Sequence, residues 1–369
     1  MQSLKSDALE PDPNELRGKP LGVRLQRLIP VYGLVVITLA LILLFSILLP
    51  NTFPTTLNLE SMLKRQSINA LMALAVMVPM AAGKIDLSIG FGIMLWEIMA
   101  ISLQVRFGIP WPVVIPIVLI GGALIGVFNA VLVEFARIDA FIATLGTATV
   151  INALALWYTN GQQVVGTLPQ SFFELSKATV LGLPILPLYP LVISLALWIM
   201  LEYLPIGRYI YVVGANPEAA RLNGIPTRKY IVLAFVLSGM IVAFAGVILA
   251  SQLRIGQTSL GDTYLLPALV GAFLGSTTLK PGRVNVWGTL IAVAVLAIGI
   301  TGLQQLGAEF YVEPLFNGLT LLVAIGLAGL TGRRRVQLQR AREIAQHSTG
   351  QTSQADSSAG KTPSSDSRS

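Results

Sequence analysis

The sequence contains no cysteine, a single histidine and few charged residues. Without cysteine the chain forms no disulfide and offers no thiolate to a metal. The one histidine, His347, stands in a Ser/Gln/Thr-rich tail, so a metal-dependent hydrolase inside the membrane is excluded. The Gly-x-x-x-x-Gly-Lys-Ser/Thr, His-Glu-x-x-His and Gly-x-Ser-x-Gly motifs are also absent. We therefore expect no enzyme activity, no ATP hydrolysis by this chain, and no catalytic, metal-binding or cofactor-binding residue.

Charged residues make up only 12% of the chain, whereas hydrophobic residues make up 54%. A soluble domain usually carries about twice that share of charge. The apolar runs are long enough to cross a bilayer, which takes about 20 residues per helix. We expect an all-α, polytopic transmembrane helix bundle of about ten spans, near residues 31–49, 66–82, 87–104, 112–134, 140–158, 186–204, 229–251, 262–276, 286–306 and 314–330.

The basic residues indicate the orientation of this bundle. If both termini are cytoplasmic, the inside segments hold 20 Lys and Arg and the outside segments hold five, which together are the 25 of the chain. Such an excess is typical of cytoplasmic loops. We therefore expect both termini in the cytoplasm, and we interpret the net charge of +7 as a sign of orientation and not of a nucleic-acid partner.

The polar ends flank one membrane domain. About 30 polar residues precede the first apolar run, which is not typical of a cleavable signal peptide. We expect residues 1–30 to form a cytoplasmic N-terminal segment and residues 31–332 to form the transmembrane domain. Residues 333–369 are expected to be a cytoplasmic tail, basic at first and then disordered.

A short polar helix is predicted between two of the spans, within residues 215–225. Asn216 is a good N-cap, because its side-chain oxygen can accept a hydrogen bond from the first turn. Pro217 suits the first helical position, and Glu218 lies near the positive end of the helix dipole. Gly224 can adopt the left-handed conformation that ends a helix. We expect a rigid rod of two turns, roughly 10 Å long, with no apolar face large enough for a core of its own.

The run Glu218-Ala219-Ala220, with Gly224 after three further residues, resembles the EAA-type coupling motif of ATP-binding-cassette (ABC) importer permeases. In that family the helix docks into a cleft on the ATPase subunit. An ordinary capped loop helix explains the motif about equally well when it is taken alone. The predicted cytoplasmic position favours coupling. The resemblance then implies an ATPase-coupling role for Asn216, Pro217, Glu218, Ala219, Ala220, Arg221 and Gly224.

A second motif, at residues 83–90, interrupts a long apolar stretch. Either Asp86 or Ser88 is placed to cap the helix that follows, and the flanking glycines allow a tight break. The break is either a cytoplasmic turn or a discontinuity inside the bundle, and its role is either structural or in the transport path. The stretch resembles the Gly-Ile-Asp-Leu-Ser-Val-Gly signature of ribose-type sugar permeases, with Lys84 where that pattern has glycine.

Three further stretches resemble the same family, in the same order along the chain. They are 139–146, 207–214 and the small-residue positions Ser238-Gly239 and Ala245-Gly246, where small side chains allow close helix packing. The resemblance covers about residues 50–330. Departures occur downstream, where the family's acidic residue, glycine-rich loop and asparagines are replaced by Pro267, by residues 275–282, and by Ile300, Thr301 and Gln304.

Polar side chains inside spans usually face the bundle interior, and aromatic rings offer flat faces to a sugar. For each such residue, packing between helices is the alternative role. Glu97 is the most notable candidate for a functional role, because a carboxyl in a span must be protonated, paired or next to water. The predicted substrate path contains Asp86, Ser88, Trp96, Glu97, Asn129, Phe141, Asn152, Trp157 and Gln304.

These resemblances imply the permease subunit of an ABC importer in the cell inner membrane, carrying a monosaccharide similar to ribose. The implied partners are an ABC ATP-binding subunit, which holds the ATP and Mg, an extracytoplasmic solute-binding protein, and a second permease copy or a paralogue. Two other functions stay open. One is a proton-coupled secondary transporter in which Glu97 or Asp86 carries the proton, and the other is a membrane scaffold without transport.

Overall fold

The computed structural model describes residues 21–326, with side chains from residue 32 onward. This part of the chain is almost entirely helical. Its elements in order are α1 (Leu21–Leu48), α2 (Thr56–Ala81), α3 (Ile89–Val105), α4 (Trp111–Glu134), α5 (Ala140–Thr159), α6 (Gln170–Lys177), β1 (Thr179–Val180), β2 (Leu183–Pro184), α7 (Leu188–Trp198) with a π-helical turn (Ile199–Tyr203), α8 (Pro205–Ala215), α9 (Pro217–Leu222), α10 (Thr227–Leu253), α11 (Gly261–Gly275), α12 (Val286–Gln305) and α13 (Val312–Gly326).

Four helices of the described part are long and apolar enough to cross a membrane: α4, α5, α10 and α12. A fifth span results if α7, its π-helical turn and α8 are counted as one span that bends by 75°. The polytopic helical bundle is therefore confirmed. Each of the ten predicted spans contains a helix, but the number ten and the cytoplasmic termini stay predictions. Residues 1–20 and 327–369, with the end of the last predicted span and the tail, lie outside the described residues.

Helix α10 is the centre of the bundle and packs against α2, α3 and α4. Its contact with α4 is close, because a Cβ built at Gly122 would lie only 2.3 Å from the carbonyl oxygen of Gly239. One turn further along, a Cβ at Gly126 would lie 2.3 Å from the carbonyl oxygen of Phe235. Glycine at these positions lets the two backbones touch. The close packing predicted around Gly239 is confirmed.

Helix α11 has 15 residues, so it extends over about 22 Å and is shorter than the hydrocarbon layer of a bilayer. The loop before α11, residues 254–260, runs alongside α3. Gly256 contacts Ile98, and a Cβ at Gly90 would lie 2.8 Å from the carbonyl oxygen of Gly261. The first residue of α11, Gly261, therefore packs against the first turn of α3.

The connection predicted as a loop at about 159–185 contains helix α6 and the two-stranded antiparallel hairpin of β1 and β2. It is joined to the loop after α10 by an isolated bridge between Val164 and Gly256, whose backbone N–H groups each donate to the other residue's carbonyl at 2.9 and 2.8 Å. This surface lies at the end of α10 opposite to the end that follows α9.

Candidate functional site

Helix α9 forms where the capping residues predict it, and it is six residues long. The Asn216 side-chain oxygen accepts a hydrogen bond from the Ala219 N–H at 3.0 Å, and Pro217 occupies the first helical position. Gly224 has a φ of 76° and a Cβ there would meet no atom within 4 Å, so glycine is needed for the backbone conformation rather than for space. The predicted cap and terminator are both present.

One residue anchors α9 to the bundle, and the others point away from it. Ala220 is buried at 1% exposure and belongs to the main hydrophobic core. The exposed residues of α9 include Pro217 and Ala219. Glu218 and Arg221 are also exposed and form an ion pair with each other at 2.7 Å. A rigid helix that presents polar residues outward between α8 and α10 is suited to contact another molecule.

The break between α2 and α3 is exposed at Gly83 and becomes buried from Asp86 onward. Gly83 has a φ of 74°, and a Cβ there would lie 3.0 Å from the carbonyl oxygen of Gly214 at the end of α8. Lys84, which departs from the family pattern, places its ammonium 3.5 Å from Glu134 on α4. The break therefore packs against the helix that leads into α9, while the choice between a cytoplasmic turn and a discontinuity within the membrane stays a prediction.

Four polar side chains meet in the core behind this break. Asp86 accepts hydrogen bonds from the Ser88 N–H at 3.0 Å and from the Ser88 hydroxyl at 2.6 Å. The Asn129 amide donates to the Ser88 hydroxyl at 2.8 Å, and Ser238 on α10 donates to the other carboxylate oxygen at 3.4 Å. Ser88 occupies the N-cap of α3, but its side chain makes no capping hydrogen bond, so its expected capping role is wrong. The polar group instead ties α3 to α4 and α10.

Glu97 on α3 is fully buried. One of its carboxylate oxygens accepts a hydrogen bond at 3.0 Å from the backbone N–H of Gln257, in the loop that descends before α11. The other oxygen has no hydrogen-bond partner within the described residues. The neighbouring Trp96 packs against Gly121 and Gly246. This hydrogen bond from Gln257 to Glu97 therefore attaches the loop before α11 to helix α3.

The remaining residues of the predicted path lie on the outside of the bundle. Phe141 and Trp157 on α5 are 51% and 76% exposed, and Asn152 between them is half-buried. Gln304 on α12 is exposed and donates to Glu313 at 3.0 Å. The nine predicted residues thus form a buried group on α3 and α4 and a surface group on α5 and α12, and they do not meet in one site.

The described part of one chain encloses little space near the buried group. The cavity beside Asp86, Ser88 and Trp96 has a volume of about 10 Å³, close to the minimum that holds one water molecule. A cavity of about 940 Å³ lies instead beside α9, between residues 83–85, 133–141 and 221–228. Sequence reasoning missed this cavity, which also receives Phe141, because its walls come from three distant parts of the chain.

Comparison with known proteins gives a consistent assignment. A family model described as "Branched-chain amino acid transport system / permease component" matches residues 58–328. The ribose import permease protein of Haemophilus influenzae is 33% identical over 300 residues, covering 80% of this chain and 92% of that protein. The ribose import permease protein of Bacillus subtilis is 32% identical, covering 82% and 92%. An autoinducer 2 import system permease protein of Enterobacter is 31% identical, covering 78% and 90%.

No solved structure matches the chain. The family match extends from the start of α2 to the described end of α13, and so includes both the break after α2 and the exposed helix α9. The chain therefore belongs to the family of permease components of the branched-chain amino acid transport system.

Proposed function

We propose that this protein is the membrane permease subunit of an ABC importer for a monosaccharide similar to ribose. The observation that carries the proposal is helix α9, a capped and outward-facing rod in a chain of the permease family. Its Glu218 and Arg221 are available to a partner, while Ala220 holds it to the bundle. A helix of this kind can transmit a movement of the partner to α8 and α10.

The other subunits of the proposed importer are separate chains. An ABC ATP-binding subunit holds ATP and Mg and grips α9, and an extracytoplasmic solute-binding protein delivers the sugar. A second permease copy or a paralogue completes the path in the cell inner membrane. ATP-driven closure of the ATPase subunits then shifts the bundles between outward-open and inward-open states. The nearly closed interior of the single chain supports a path between two bundles.

The substrate proposal is supported by the relatives. Those from Haemophilus influenzae and Bacillus subtilis are named for ribose import, whereas the one from Enterobacter is named for autoinducer 2 import at nearly the same identity. A test therefore has to offer both solutes. The half-buried Asn152 and the exposed rings of Phe141 and Trp157 are the proposed contacts along the path, since they combine a hydrogen-bonding group with ring faces.

The test is ATP-driven uptake by vesicles that contain the permease, its ATPase subunit and its solute-binding protein. Wild-type vesicles, offered radiolabelled ribose and radiolabelled autoinducer 2 in separate assays, should accumulate ribose, and only when ATP is present on the side of the membrane that carries the ATPase subunit. Glu218→Lys, which changes only an exposed side chain of α9, should abolish uptake without lowering the melting temperature. Glu309→Lys, an equally exposed change between α12 and α13, is the control and should transport normally.

The proton-coupled alternative gives the opposite result in the same vesicles. It requires uptake by the purified permease alone under a proton gradient and loss of that uptake in Glu97→Gln. The relatives, all named as import-system permeases, do not favour this alternative. Normal uptake by Glu218→Lys, or ATP-independent uptake by the wild type, would refute the proposed function.

A further inference from the structure

A cavity of about 940 Å³ lies beside α9, and most of its lining residues have no role in the proposed function. Its three walls are the break at residues 83–85, the connection of α4 and α5 at 133–141, and residues 221–228, which lead from α9 into α10. We call this cavity the notch. A partner that grips α9 lies next to the notch, because Arg221 of α9 is part of its lining.

The notch is lined by four basic and two acidic side chains, so its net charge is +2. Several of these groups already have partners. Lys84 pairs with Glu134 at 3.5 Å, and Arg221 pairs with Glu218 at 2.7 Å. Asp139 accepts hydrogen bonds from the first-turn N–H groups of α5. The two acidic groups of the lining are therefore engaged.

Two guanidinium groups remain, those of Arg137 and Arg228. Neither forms an ion pair with another side chain of the described part of the chain. Arg228 instead lies over the ring of Phe135, with 5.2 Å from its guanidinium carbon to the ring centroid. Stacking of this kind orients a guanidinium and leaves its N–H donors free. Two exposed arginines that form no ion pair within the described residues, in one concave surface of net positive charge, favour the binding of an anion.

The backbone at Arg137 supports a role for its side chain. Arg137 has a φ of 57° at the end of α4, a conformation for which glycine or asparagine is preferred. The conformation is fixed by hydrogen bonds from the Ala136 N–H to the Val131 carbonyl and from the Ile138 N–H to the Leu132 carbonyl, each 3.1 Å long. An arginine is thus held in a strained conformation at the edge of the notch, where glycine would fit better. Such strain is characteristic of functional positions.

We infer that the notch receives a carboxylate side chain of the ATPase subunit, which pairs with Arg137 and Arg228. The inference rests on the proposed function and adds to it a second contact besides α9. A carboxylate matches the planar donor set of a guanidinium and can be bound by two parallel N–H groups. The partner that grips Pro217–Leu222 presents its surface directly to the notch, since Gly224 turns the chain from α9 into the wall of the notch.

The experiment measures the affinity of the purified ATPase subunit for the full-length permease in nanodiscs of neutral lipid. The variants are Arg137→Gly and Arg228→Gln, and Arg137→Lys is the variant that keeps the charge. Arg254→Gly is the matched control, because Arg254 also has a positive φ, 65°, and also stacks on a ring. It lies at the other end of α10, which is 27 residues or about 40 Å long.

Each neutral variant in the notch should bind the ATPase subunit about tenfold more weakly, since a charge partner is lost at an interface. The loss should shrink as salt is raised, because ions screen exposed charges. Arg137→Gly should melt at or above the wild-type temperature, since glycine relieves the backbone strain. If Arg137 had a purely structural role, the same substitution would lower the melting temperature. Arg137→Lys should retain most of the affinity, and Arg254→Gly should bind as the wild type.

Three outcomes would overturn the inference. Wild-type affinity of both neutral variants, with binding lost in Glu218→Lys, would remove the notch contact and leave the proposed function intact. Affinity that is unaffected by all of these changes would reject the proposed function as well. A loss of affinity that appears only when anionic lipid is added to the nanodiscs would assign the notch to a lipid headgroup.

Discussion

At the scale of single residues, the bundle depends on backbones that touch and on polar groups that are buried in pairs. The crossing of α4 and α10 has glycine on both helices, at Gly122 and Gly239. Next to it, Asp86 organises the hydrogen bonds of Ser88 and Ser238. Each feature has a specific consequence when one side chain is changed.

Gly122→Ala should destabilise the protein by about 1–3 kcal/mol, because its Cβ would meet a carbonyl oxygen that cannot move aside. The measurement is the thermal unfolding midpoint of the purified protein in detergent. Gly318→Ala is the control, since Gly318 lies within α13 and a Cβ there meets nothing within 4 Å. The control should be unchanged or slightly more stable, because alanine favours helix over glycine by about 1 kcal/mol. Equal midpoints for both variants would contradict the close crossing.

Asp86→Ala should cost about 1–3 kcal/mol, since the Ser88 N–H and hydroxyl lose their buried acceptor. Asp86→Asn keeps an acceptor oxygen and should lose less. Asp262→Ala, an exposed change in the first turn of α11, should cost less than about 1 kcal/mol. The same unfolding measurement distinguishes the three, and an unchanged midpoint in Asp86→Ala would show that the buried group is not stabilising.

Local signals predicted some residue-level features, and distant contacts escaped prediction. The roles of Asn216 and Gly224 were predicted because the residues that cap a helix lie within a few positions of its ends. The partner of Glu97 is the N–H of Gln257, 160 residues away, and a single sequence carries no signal for that pair. The same limit hid the notch, in which Arg137 follows α4 and Arg228 lies in the first turn of α10.

At the scale of elements, the bend between α7 and α8 is held by charges from another part of the chain. Glu202, in the π-helical turn, pairs with Lys280 at 2.7 Å and with Arg283 at 3.5 Å. Arg283 also lies 3.4 Å above the ring of Tyr211 on α8, whose hydroxyl donates to the Val284 carbonyl at 3.0 Å. The segment that leads to α9 is thereby attached to the loop between α11 and α12.

Glu202→Gln should lower the stability by about 1–2 kcal/mol, because it leaves the half-buried Arg283 without its charge partner. Lys280→Ala should stay within about 0.5 kcal/mol, since Lys280 is 49% exposed and its ion pair is screened by water. Chemical unfolding of the two variants at low and high salt makes the comparison. A larger loss for Lys280→Ala than for Glu202→Gln would refute the assigned importance of Arg283.

Hydropathy predicted where several elements end better than where they begin or how they are joined, since the spans predicted from residues 31 and 66 belong to helices that begin at Leu21 and Thr56. The predicted end of the sixth span at residue 204 agrees with the end of the π-helical turn at Tyr203, since Pro205 restricts the residue before it to extended conformations. The turn of 75° and the separate helix α8 were not predicted, because the direction of a helix after a break depends on tertiary contacts such as those of Glu202.

At the scale of the whole molecule, the outer faces of α4 and α5 differ in composition. The exposed side of α4 carries large apolar residues, among them Leu124, Val127 and Phe128, as expected of contact with lipid. The exposed side of α5 also carries large apolar residues such as Val150 and Leu154, but beside them Gly146, Thr149 and Ala153 form a strip of small residues at helical spacing. Small and polar residues on a membrane helix favour contact with another helix or with water. This face is where the second copy and the substrate path are expected.

Thr149→Cys should therefore form a cross-link between two copies in native membranes, whereas Leu124→Cys should not. The natural chain has no cysteine, so each variant carries a single thiol and no background reaction competes. Oxidation with a copper catalyst followed by non-reducing electrophoresis detects the dimer. Cross-linking of Leu124→Cys alone would place the second copy on α4 instead.

The contacts at the two ends of α3 limit how the neighbouring segments can move. Gln257, near the surface formed with Val164, is bonded to Glu97 on α3, and the break preceding α3 rests on Gly214, two residues before α9 begins its cap. A single helix of 17 residues, α3, thus connects the loop at Gln257 with the end of α8 that leads into α9. Neither end can be displaced far unless α3 tilts or one of these contacts breaks.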